Sequence, residues 1–528
     1  MPYYPEVKTL GDIARYHGEN RPDATAFVYE DRVTDYKTFN SNTNQIANGL
    51  LAEDIPAQSR VAVMAKNSDW YYELLIGCAK ADMVTVGINW RLAPPEVAYI
   101  INDAEAPILF LAKDFLPIYD AIKDELTSVK KVILLETTAE GYPAFPEWRE
   151  QQSSHDPEIN VNPEDVAVQM YTSGTTGHPK GVQVSHYAFY AINEAIENSG
   201  KEEEEWTTWT DQDVSLNIMP NFHIGGTGWA LIGMYAGAKN VVQSEFTPAG
   251  CLQAIRDYGI SKLFIVPAAM QFVLADPSCA ETDFSTLKYI VYGASPIPLP
   301  LLKKAMEVFQ CGFIQLYGMT ETIGYGTYLP ADDHDPNGNP RMRSAGIARD
   351  GVDIAIKDSD GNELPNGTIG EICSKSPTNM IGYWKRPEAT ESTLIDGWIH
   401  TGDAGFKDDD GYIFVQDRIK DMVVSGGENV YPAEVESALF GHDAIADVAV
   451  IGVPDDKWGE AVKACVVLKP DVAATADDII AFAKEKIAGY KVPKTVDFLQ
   501  ELPRNPSGKI LKRELRAPYW EGRDRQVN

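Results

Sequence analysis

Tyr171-Thr-Ser-Gly-Thr-Thr-Gly-His-Pro-Lys180-Gly181 is the most informative segment of this 528-residue chain. It follows an apolar, β-branched run, Val166–Met170, which predicts a buried strand. Glycines let the backbone turn tightly enough for several N–H groups to converge on phosphate oxygens. The hydroxyls add donors or a Mg²⁺ ligand, and Lys180 adds positive charge. The segment therefore predicts a phosphate-binding loop between a buried strand and a helix.

A Walker A loop is the first alternative to consider, because it requires G-x-x-x-x-G-K-[ST]. Lys180 lies six residues after Gly174, as that pattern demands. However, Pro179 stands where the second glycine belongs, and Gly181 stands where the Ser or Thr belongs. The match fails. A flexible linker is the other alternative, and a position next to a buried strand disfavours it.

Around this loop, apolar runs rich in β-branched residues alternate with stretches of helical period such as Trp70–Ala81 and Pro95–Asp103. This alternation predicts an α/β fold with doubly wound, buried parallel strands. The predicted strands are Val61–Met64, Thr85–Ile88, Ile108–Leu111, Lys131–Leu135, Val166–Tyr171, Asp213–Ile218, Asn240–Val242, Leu263–Val266, Tyr289–Tyr292 and Gly312–Leu316.

The pattern changes after about residue 340, where short strands separated by DG and NG turns predict a small antiparallel β unit. Beyond it, Pro432–Leu439 and Ala476–Ile487 predict helices, and Ile445–Gly452 and Ala461–Leu468 predict strands. We therefore expect a large N-terminal domain of residues 1–417 and a smaller α+β domain of residues 422–528, with the boundary between them at residues 418–421.

Charge is the unusual feature of the composition. The chain has 46 Lys and Arg against 77 Asp and Glu, which gives a net charge of −31. Such a surface repels nucleic acid and anionic membranes, and solubility is a sufficient reason for it. Any nucleotide site must then be locally positive or built from backbone N–H groups.

The chain shows no secretory signal and no apolar run of the length that a membrane span needs. Six scattered cysteines, without a CxxC pair or a histidine at metal-binding spacing, predict reduced thiols. These features predict a cytoplasmic protein without integral membrane association.

Five further segments, together with the loop, resemble in order the motifs of the adenylate-forming superfamily. That superfamily comprises acyl-CoA synthetases, peptide-synthetase adenylation domains and luciferases, and the resemblance covers nearly the whole chain. The segments are Tyr292-Gly-Ala-Ser-Pro296, Gln315-Leu-Tyr-Gly-Met-Thr-Glu321, Trp398-Ile-His-Thr-Gly-Asp403, Asp417-Arg-Ile-Lys-Asp421 and Pro503-Arg-Asn-Pro-Ser-Gly-Lys509. The resemblance implies that ATP activates a carboxylic acid as an acyl-adenylate, which then passes its acyl group to coenzyme A.

The resemblance also implies roles for the ATP-binding residues. The β- and γ-phosphates are expected on Thr172, Ser173, Gly174, Thr175, Thr176, Gly177 and Lys180. Glu321 is the expected Mg²⁺ ligand, helped by the hydroxyl of Thr172, and Thr320 is expected to donate to the α-phosphate. Without the motif, Glu321 is equally compatible with a surface helix.

The remaining nucleotide contacts follow from the same motifs. Adenine is expected between the face of Tyr317 and the backbone of Gly293, Ala294 and Ser295, with Gln315 and Gly318 beside it. Asp403 is expected to bind the ribose hydroxyls, and Arg418 to reach the ribose or the phosphates. A buried core position is the alternative for Tyr317.

Lys509 lies near the end of the chain, where a lysine is ordinarily just solvated. The resemblance instead implies that it bridges the attacking carboxylate and the α-phosphate, and that rotation about Lys420 delivers and withdraws it. After rotation, the loop Ser425-Gly426-Gly427-Glu428 is expected to meet the pantetheine arm of coenzyme A. A plain turn is the alternative for that loop.

His223 matches the motif histidine that flanks the acyl carboxylate. Gly225, Gly226, Gly228 and Trp229 are expected to shape the acid pocket, and Ala294 and Ile323–Gly324 to line it. No aspartate for an α-amino group occurs near Thr227–Ala230, so the pocket is expected to be apolar.

The substrate is thus a small carboxylic acid. A medium- or long-chain fatty acid is favoured, and an aryl or phenylpropanoid acid is the alternative. Loading of a carrier protein instead of coenzyme A is less favoured, because the chain has no attached carrier domain. A homodimer is among the assemblies that the sequence leaves open.

Overall fold

The computed structural model describes residues 3–136, 141–172, 179–199, 208–425, 428–455, 457–504 and 509–521. Its helices are α1 Leu10–Asn20, α2 Tyr36–Leu51, α3 Asp69–Lys80, α4 Pro94–Ala104, α5 Leu116–Ile122, α6 Phe145–Glu150, α7 Ala191–Ser199, α8 Ile224–Tyr235, α9 Pro248–Tyr258, α10 Pro267–Ala275, α11 Leu299–Phe309, α12 Pro387–Thr393, α13 Pro432–Leu439, α14 Ala476–Lys486 and α15 Lys512–Trp520.

The strands are β1 Thr25–Tyr29, β2 Arg32–Asp35, β3 Arg60–Met64, β4 Val84–Gly87, β5 Ile108–Leu111, β6 Lys131–Leu134, β7 Val166–Thr172, β8 Lys180–Ser185, β9 Val214–Asn217, β10 Lys239–Val242, β11 Lys262–Ile265, β12 Tyr289–Gly293, β13 Gly312–Tyr317, β14 Thr327–Leu329, β15 Ile347–Ala348, β16 Asp353–Lys357, β17 Gly370–Lys375, β18 Gly382–Tyr383, β19 Leu394–Ile395, β20 Trp398–Lys407, β21 Ile413–Arg418, β22 Val423–Ser425, β23 Glu428–Val430, β24 Ile445–Asp455, β25 Gly459–Leu468 and β26 Thr495–Phe498.

Two largely parallel sheets form the N-terminal domain. One has the order β18-β8-β7-β4-β3-β5-β6, and the other has the order β15-β14-β13-β12-β11-β9-β10-β1-β2. The inner strands of both are parallel and pair through continuous apolar runs, as buried strands of α/β folds do. The predicted α/β fold is confirmed, because short β-branched runs fit a sheet that is covered on both faces.

The phosphate loop joins two antiparallel strands and not a strand and a helix, so that part of the prediction was wrong. β7 and β8 form a hairpin in which Thr172 lies opposite Lys180. After Lys180 the side chains alternate, with Val182 and Val184 completely buried and Gln183 only half-buried. This period of two is typical of a strand and was hidden by the composition of the loop before it.

The predicted β unit is a five-stranded antiparallel sheet, β16-β17-β20-β19, with β21 added beside β20. Its longest strand, β20, contains the motif that ends at Asp403. The sequence analysis singled out this motif for its chemistry and did not predict the strand that carries it.

The C-terminal domain is a second five-stranded sheet, β23-β22-β25-β24 with β26 beside β25, covered by α13, α14 and α15. It has its own apolar core, and its main members are Val423, Val435, Val450, Val462 and Ile479. The smaller α+β domain is therefore present as predicted. Its boundary at residues 418–421 stays a prediction.

Two further features bear on the chemistry. The six cysteines are unpaired, and five of them are buried. Within the described ranges, every helix is too short or too polar to cross a lipid bilayer.

Candidate active site

A crevice forms where the parallel strands β12 and β13 end side by side, the place where open α/β sheets bind ligands. Gly293 lies opposite Leu316, and a Cβ at residue 293 would come 2.3 Å from the Leu316 carbonyl oxygen. Only glycine therefore fits there. Ala294 follows in the left-handed region at φ 65°, which turns the chain out of the sheet and leaves Ala294 exposed and Ser295 half-buried.

The second wall of the crevice is the tight segment after β13. A Cβ at Gly318 would lie 2.5 Å from the carbonyl carbon of Gly324, so the backbone closes on itself there. A 3₁₀ turn, Thr320–Thr322, follows and ends at Ile323 with φ 46°. This turn directs Glu321 inward, where it is 5% exposed, and leaves Thr320 half-buried.

Tyr383 connects Glu321 to the phosphate-loop hairpin. Its phenol donates to Oε1 of Glu321 at 2.6 Å, and Nζ of Lys180 lies 4.2 Å from its ring centroid. Its strand, β18, pairs with β8, and the neighbouring Met380 N–H donates to the backbone oxygen of Glu321 at 2.8 Å. Burial, and then the Glu321 carboxylate, raise the pKa of Tyr383, so its phenol stays protonated. The sequence analysis missed Tyr383, since only the β8–β18 pairing brings it to the site.

Asp403 is held at both carboxylate oxygens. The phenol of Tyr317 donates to Oδ2 at 2.7 Å, and Nε of Arg418 pairs with Oδ1 at 2.6 Å. Burial, followed by the charge of Asp403, raises the pKa of Tyr317. Burial opposes the charge of Arg418, but Asp403 outweighs it and raises the pKa of Arg418. Tyr317 is half-buried and packs against the apolar cluster of Ile356, Ile372 and Ile413.

The turn before Asp403 is fixed by Glu371 on the neighbouring strand. Oε1 of Glu371 accepts from the Gly402 N–H at 2.9 Å, and Oε2 lies 2.7 Å from Nδ1 of His400. Cys373 packs beside them, with Sγ 3.5 Å from the same ring nitrogen. Residue spacing did not predict this meeting of a cysteine and a histidine, because strand pairing across β17 and β20 creates it.

Arg418 and Lys509 both interact with Asp403, and Lys420 interacts with these two cations. Burial lowers the pKa of Lys420 to about 8, and Arg418 and Lys509 add to this shift. Lys509 keeps a solvent-exposed surface, yet desolvation, followed by the charge of Arg418, lowers the pKa of its ammonium group. The structure thus brings Lys509 of the C-terminal domain into electrostatic contact with Arg418 and Asp403. The crevice is locally positive despite the acidic surface.

The predicted hinge, residues 418–421, is bound on both sides. Asp421 pairs with Arg516 of α15 at 2.7 Å, and Asp417 accepts from the Ala433 N–H at 2.8 Å. Arg418 between them faces Asp403. The alternating contacts connect this short segment to both domains.

His223 precedes α8, and its Nε2 is buried without a hydrogen-bond partner among the described residues. Burial, and then the charge of Arg91, lower the pKa of His223 to about 4. The imidazole is therefore neutral at pH 7.

A mainly apolar cavity of about 120 Å³ runs along α8. Gly225, Gly228, Trp229, Ile232 and Tyr235 line it over ten residues, a rise of about 15 Å. One end lies at Ala294, Gly318 and Gly324 beside the crevice. The other end includes Leu10 and Ile13 of α1, which the sequence analysis did not place there. Among the described lining residues, none is charged.

Some predicted pocket and site residues lie elsewhere. Gly226 faces the backbone, since a Cβ there would come 2.1 Å from the Pro220 oxygen, and it does not line the cavity. Gln315 is half-buried and accepts from the Tyr292 phenol at 3.4 Å. Ser425 is buried in β22. The predicted residues Ser173, Gly174, Thr175, Thr176, Gly177, Gly426 and Gly427 lie outside the described residues.

The structure thus combines an apolar cavity and a positive crevice in one two-domain fold. Residues 14–384 match the model of the AMP-binding enzyme, and residues 434–509 match that of the AMP-binding enzyme C-terminal domain. The chain belongs to the AMP-binding enzyme family, as its motifs predicted.

Three relatives illustrate the family. The fatty acid–[acyl-carrier-protein] ligase ScoC of Streptomyces coeruleorubidus is 40% identical over 527 residues, which cover 100% of this chain and 99% of ScoC. The long-chain-fatty-acid–CoA ligase FadD13 of Mycobacterium tuberculosis is 34% identical and covers 97% of this chain and 99% of its own. The solved anthranilate CoA ligase AuaEII, in complex with anthranoyl-AMP, superimposes with a TM-score of 0.88 at 27% identity and 98% coverage of both chains. The chain is accordingly an AMP-forming acid–thiol ligase.

Proposed function

We propose that this ligase adenylates a medium-chain fatty acid or a single-ring aromatic acid and transfers the acyl group to coenzyme A. The cavity of about 120 Å³, which no charged residue lines among those described, carries this proposal. An engineered apolar cavity of about 150 Å³ binds benzene, so the space here supports a tail of similar bulk. It gives less support to a long chain and none to an amino acid, whose ammonium group would be left without a counter-charge.

In the first step, a carboxylate oxygen of the acid attacks the α-phosphorus of ATP, and pyrophosphate leaves. The neutral imidazole of His223 orients the carboxylate, and Lys509 bridges it to the α-phosphate, where negative charge accumulates. Thr320 donates to the same phosphate. Tyr317 and the Gly293–Ser295 backbone hold adenine, and Asp403 and Arg418 hold the ribose.

Glu321 and Thr172 would hold Mg²⁺. A buried carboxylate and a hydroxyl at the end of a phosphate loop are oxygen donors of the kind that Mg²⁺ accepts beside substrate phosphates. When bound, Mg²⁺ supplies charge that stabilises the leaving pyrophosphate. The loop Ser173–Gly177 and Lys180 complete the phosphate contacts.

In the second step, a thiolate attacks the acyl carbonyl carbon and AMP leaves. The Ser425–Glu428 loop would admit the pantetheine arm, and a rotation about Lys420 would bring it there. Residues 422–528 carry 14 Lys and Arg against 17 Asp and Glu, whereas residues 1–421 carry 32 against 60. The C-terminal domain therefore repels an anionic acceptor such as coenzyme A much less than the rest of the chain does.

Loading of a carrier protein is the second candidate. The 40% identity to ScoC, a ligase named for an acyl-carrier-protein acceptor, favours it. A carrier presents the same pantetheine arm as coenzyme A, so the predicted loop serves either acceptor.

The test has two arms. Pyrophosphate release is measured with ATP, Mg²⁺ and straight-chain acids of four to sixteen carbons, beside single-ring aromatic acids and amino acids. The preferred acid is then offered coenzyme A or a phosphopantetheinylated carrier protein, and the thioester is identified by mass spectrometry. We expect medium-length or single-ring acids and an acyl-CoA product. A preference for long chains or amino acids contradicts the acid assignment. A thioester that forms only on the carrier protein would show that the acceptor is a carrier protein and not coenzyme A.

A further inference from the structure

The acyl cavity is not wholly apolar, because two of its lining side chains carry buried polar atoms without a partner. Tyr190 and Trp229 both line the cavity, and each is only 7% exposed. Oη of Tyr190 and Nε1 of Trp229 have no hydrogen bond among the described residues. Folded proteins leave few buried polar atoms unsatisfied, and such atoms call for a specific explanation.

Other polar side chains in this part of the cavity wall do have hydrogen-bond partners. Tyr235 also lines the cavity, but its hydroxyl accepts from the Tyr4 N–H at 3.1 Å and from the side chain of Asn193. Asn193 lies one helical turn after Tyr190, whose backbone oxygen accepts the Asn193 N–H at 2.9 Å. Within this group, the Tyr190 hydroxyl is left without a protein partner.

Tyr190 and Trp229 lie where the tail of the bound acid is expected. Gly225, at the start of α8, lies next to His223 and the crevice, whereas Tyr235 ends the helix about 15 Å away. Tyr190 precedes α7, and cavity residues Leu10 and Ile13 come from α1. A carboxylate held at His223 therefore directs its tail along α8, past Trp229 and toward Tyr190.

We propose that the acid carries a neutral oxygen acceptor on its tail, as a hydroxyl, oxo or ether group, and that Tyr190 and Trp229 donate hydrogen bonds to the tail. This inference rests on the proposed function. The indole N–H only donates and a phenol donates readily, so the matching group on the ligand must accept. The group must also be neutral, because no charged residue lines the cavity among those described and an isolated charge would be desolvated.

The test compares acids of matched length and bulk that differ only in a tail oxygen. Suitable pairs are octanoic with 7-oxooctanoic acid and 4-methylbenzoic with 4-hydroxybenzoic acid. The readout is the ratio of kcat/KM for pyrophosphate release between the two members of a pair. We expect the wild-type enzyme to prefer the oxygen-bearing member by about tenfold or more, since leaving a buried donor unpaired disfavours the plain acid.

Tyr190→Phe removes one hydroxyl and should lower this ratio toward one, and Trp229→Phe should lower it independently. Tyr187→Phe is the matched control, because Tyr187 also bears a phenol, lies three residues away and does not line the cavity. The control should keep the wild-type ratio.

A wild-type ratio of one or below, or an unchanged ratio in both Tyr190→Phe and Trp229→Phe, overturns the inference and leaves the proposed function standing. Release of pyrophosphate with none of the acids overturns the proposed function instead. In that event the same pairs are compared by the increase in Tm that each acid produces. Equal increases then overturn the inference as well.

Discussion

The phenol of Tyr383 lies 2.6 Å from Oε1 of Glu321, and both side chains are buried. The two residues are 62 positions apart in the chain. Because Lys180 packs its ammonium group over the same ring, one tyrosine orients both the proposed Mg²⁺ ligand and the lysine of the phosphate loop. Tyr383 is therefore a positioning residue in the proposed mechanism.

Replacing Tyr383 with Phe should raise the Mg²⁺ concentration that gives half-maximal pyrophosphate release by about tenfold. Loss of a group that orients a metal ligand typically costs 10–100-fold in metal affinity or activity. The measurement is a Mg²⁺ titration at saturating ATP. Tyr412→Phe is the control, because it removes a similar phenol–carboxylate hydrogen bond, to Asp333, outside the site. An unchanged Mg²⁺ dependence with a lower Tm would mean that Tyr383 only stabilises the fold.

Lys509→Ala should reduce acyl-adenylate formation by about 10²–10³-fold and largely preserve thioester formation from a supplied acyl-adenylate. The reason is that Lys509 lies with Arg418 and Asp403, where charge develops only in the first step. The two half-reactions are measured separately, by pyrophosphate release and by acyl-CoA formation. Lys494→Ala, at an exposed lysine of the same domain, is the control. Equal losses in both half-reactions would contradict a role confined to adenylation.

Trp229→Ala should shift the preference toward longer or bulkier acids. The indole lines the cavity and packs against Trp209 and Phe264, with ring centroids 5.1 Å and 6.1 Å away. One methylene in an apolar pocket is worth about 1–3 kcal/mol of discrimination, so the new space should be visible in kcat/KM ratios. The same change also removes core packing, which costs about 3–5 kcal/mol for a large aromatic residue. A lower Tm with an unchanged order of preference among the acids would show that Trp229 does not limit the size of the acid.

Stability should depend on pH through buried histidines. His17 and His186 are completely buried, and desolvation, the largest cause, lowers the pKa of each to about 4. Between about pH 6.5 and 4, these histidines bind protons in the unfolded chain but not in the folded protein. Their contribution to stability is therefore complete above pH 6.5 and falls as the pH drops. Glu73, whose pKa burial raises to about 7, acts in the opposite direction over part of this range.

A comparison of the wild type with His186→Gln separates the contribution of His186 to the pH dependence of stability from that of Glu73. Urea unfolding at pH 7.5, 6 and 5 should show a smaller loss of stability on acidification in this variant than in the wild type, by up to about 1.4 kcal/mol per pH unit. Parallel pH profiles for the two proteins would show that His186 does not titrate differently in the folded and unfolded states.

Local patterns in the chain were enough to predict the main strands, such as β12 and β13. Alternating polarity and β-branched runs reflect burial, which acts on each short segment separately. Gly293, Tyr317 and Asp403 were named because their motifs resemble those of the adenylate-forming superfamily, and their roles stay predictions. The family followed from the order of the motifs.

Contacts between distant segments could not be predicted from local sequence patterns. The hairpin after the phosphate loop required the pairing of β7 with β8, and the Tyr383–Glu321 hydrogen bond required β18 on the far side of β8. The lining of the cavity includes Leu10 and Ile13, which lie more than 200 residues before Trp229. Periodicity records which side of a segment is buried but not which segment covers it. The motifs thus identify the family and its reaction. The size and lining of the cavity depend on how α1, α7 and α8 pack, because a cavity is formed by segments that are distant in the sequence.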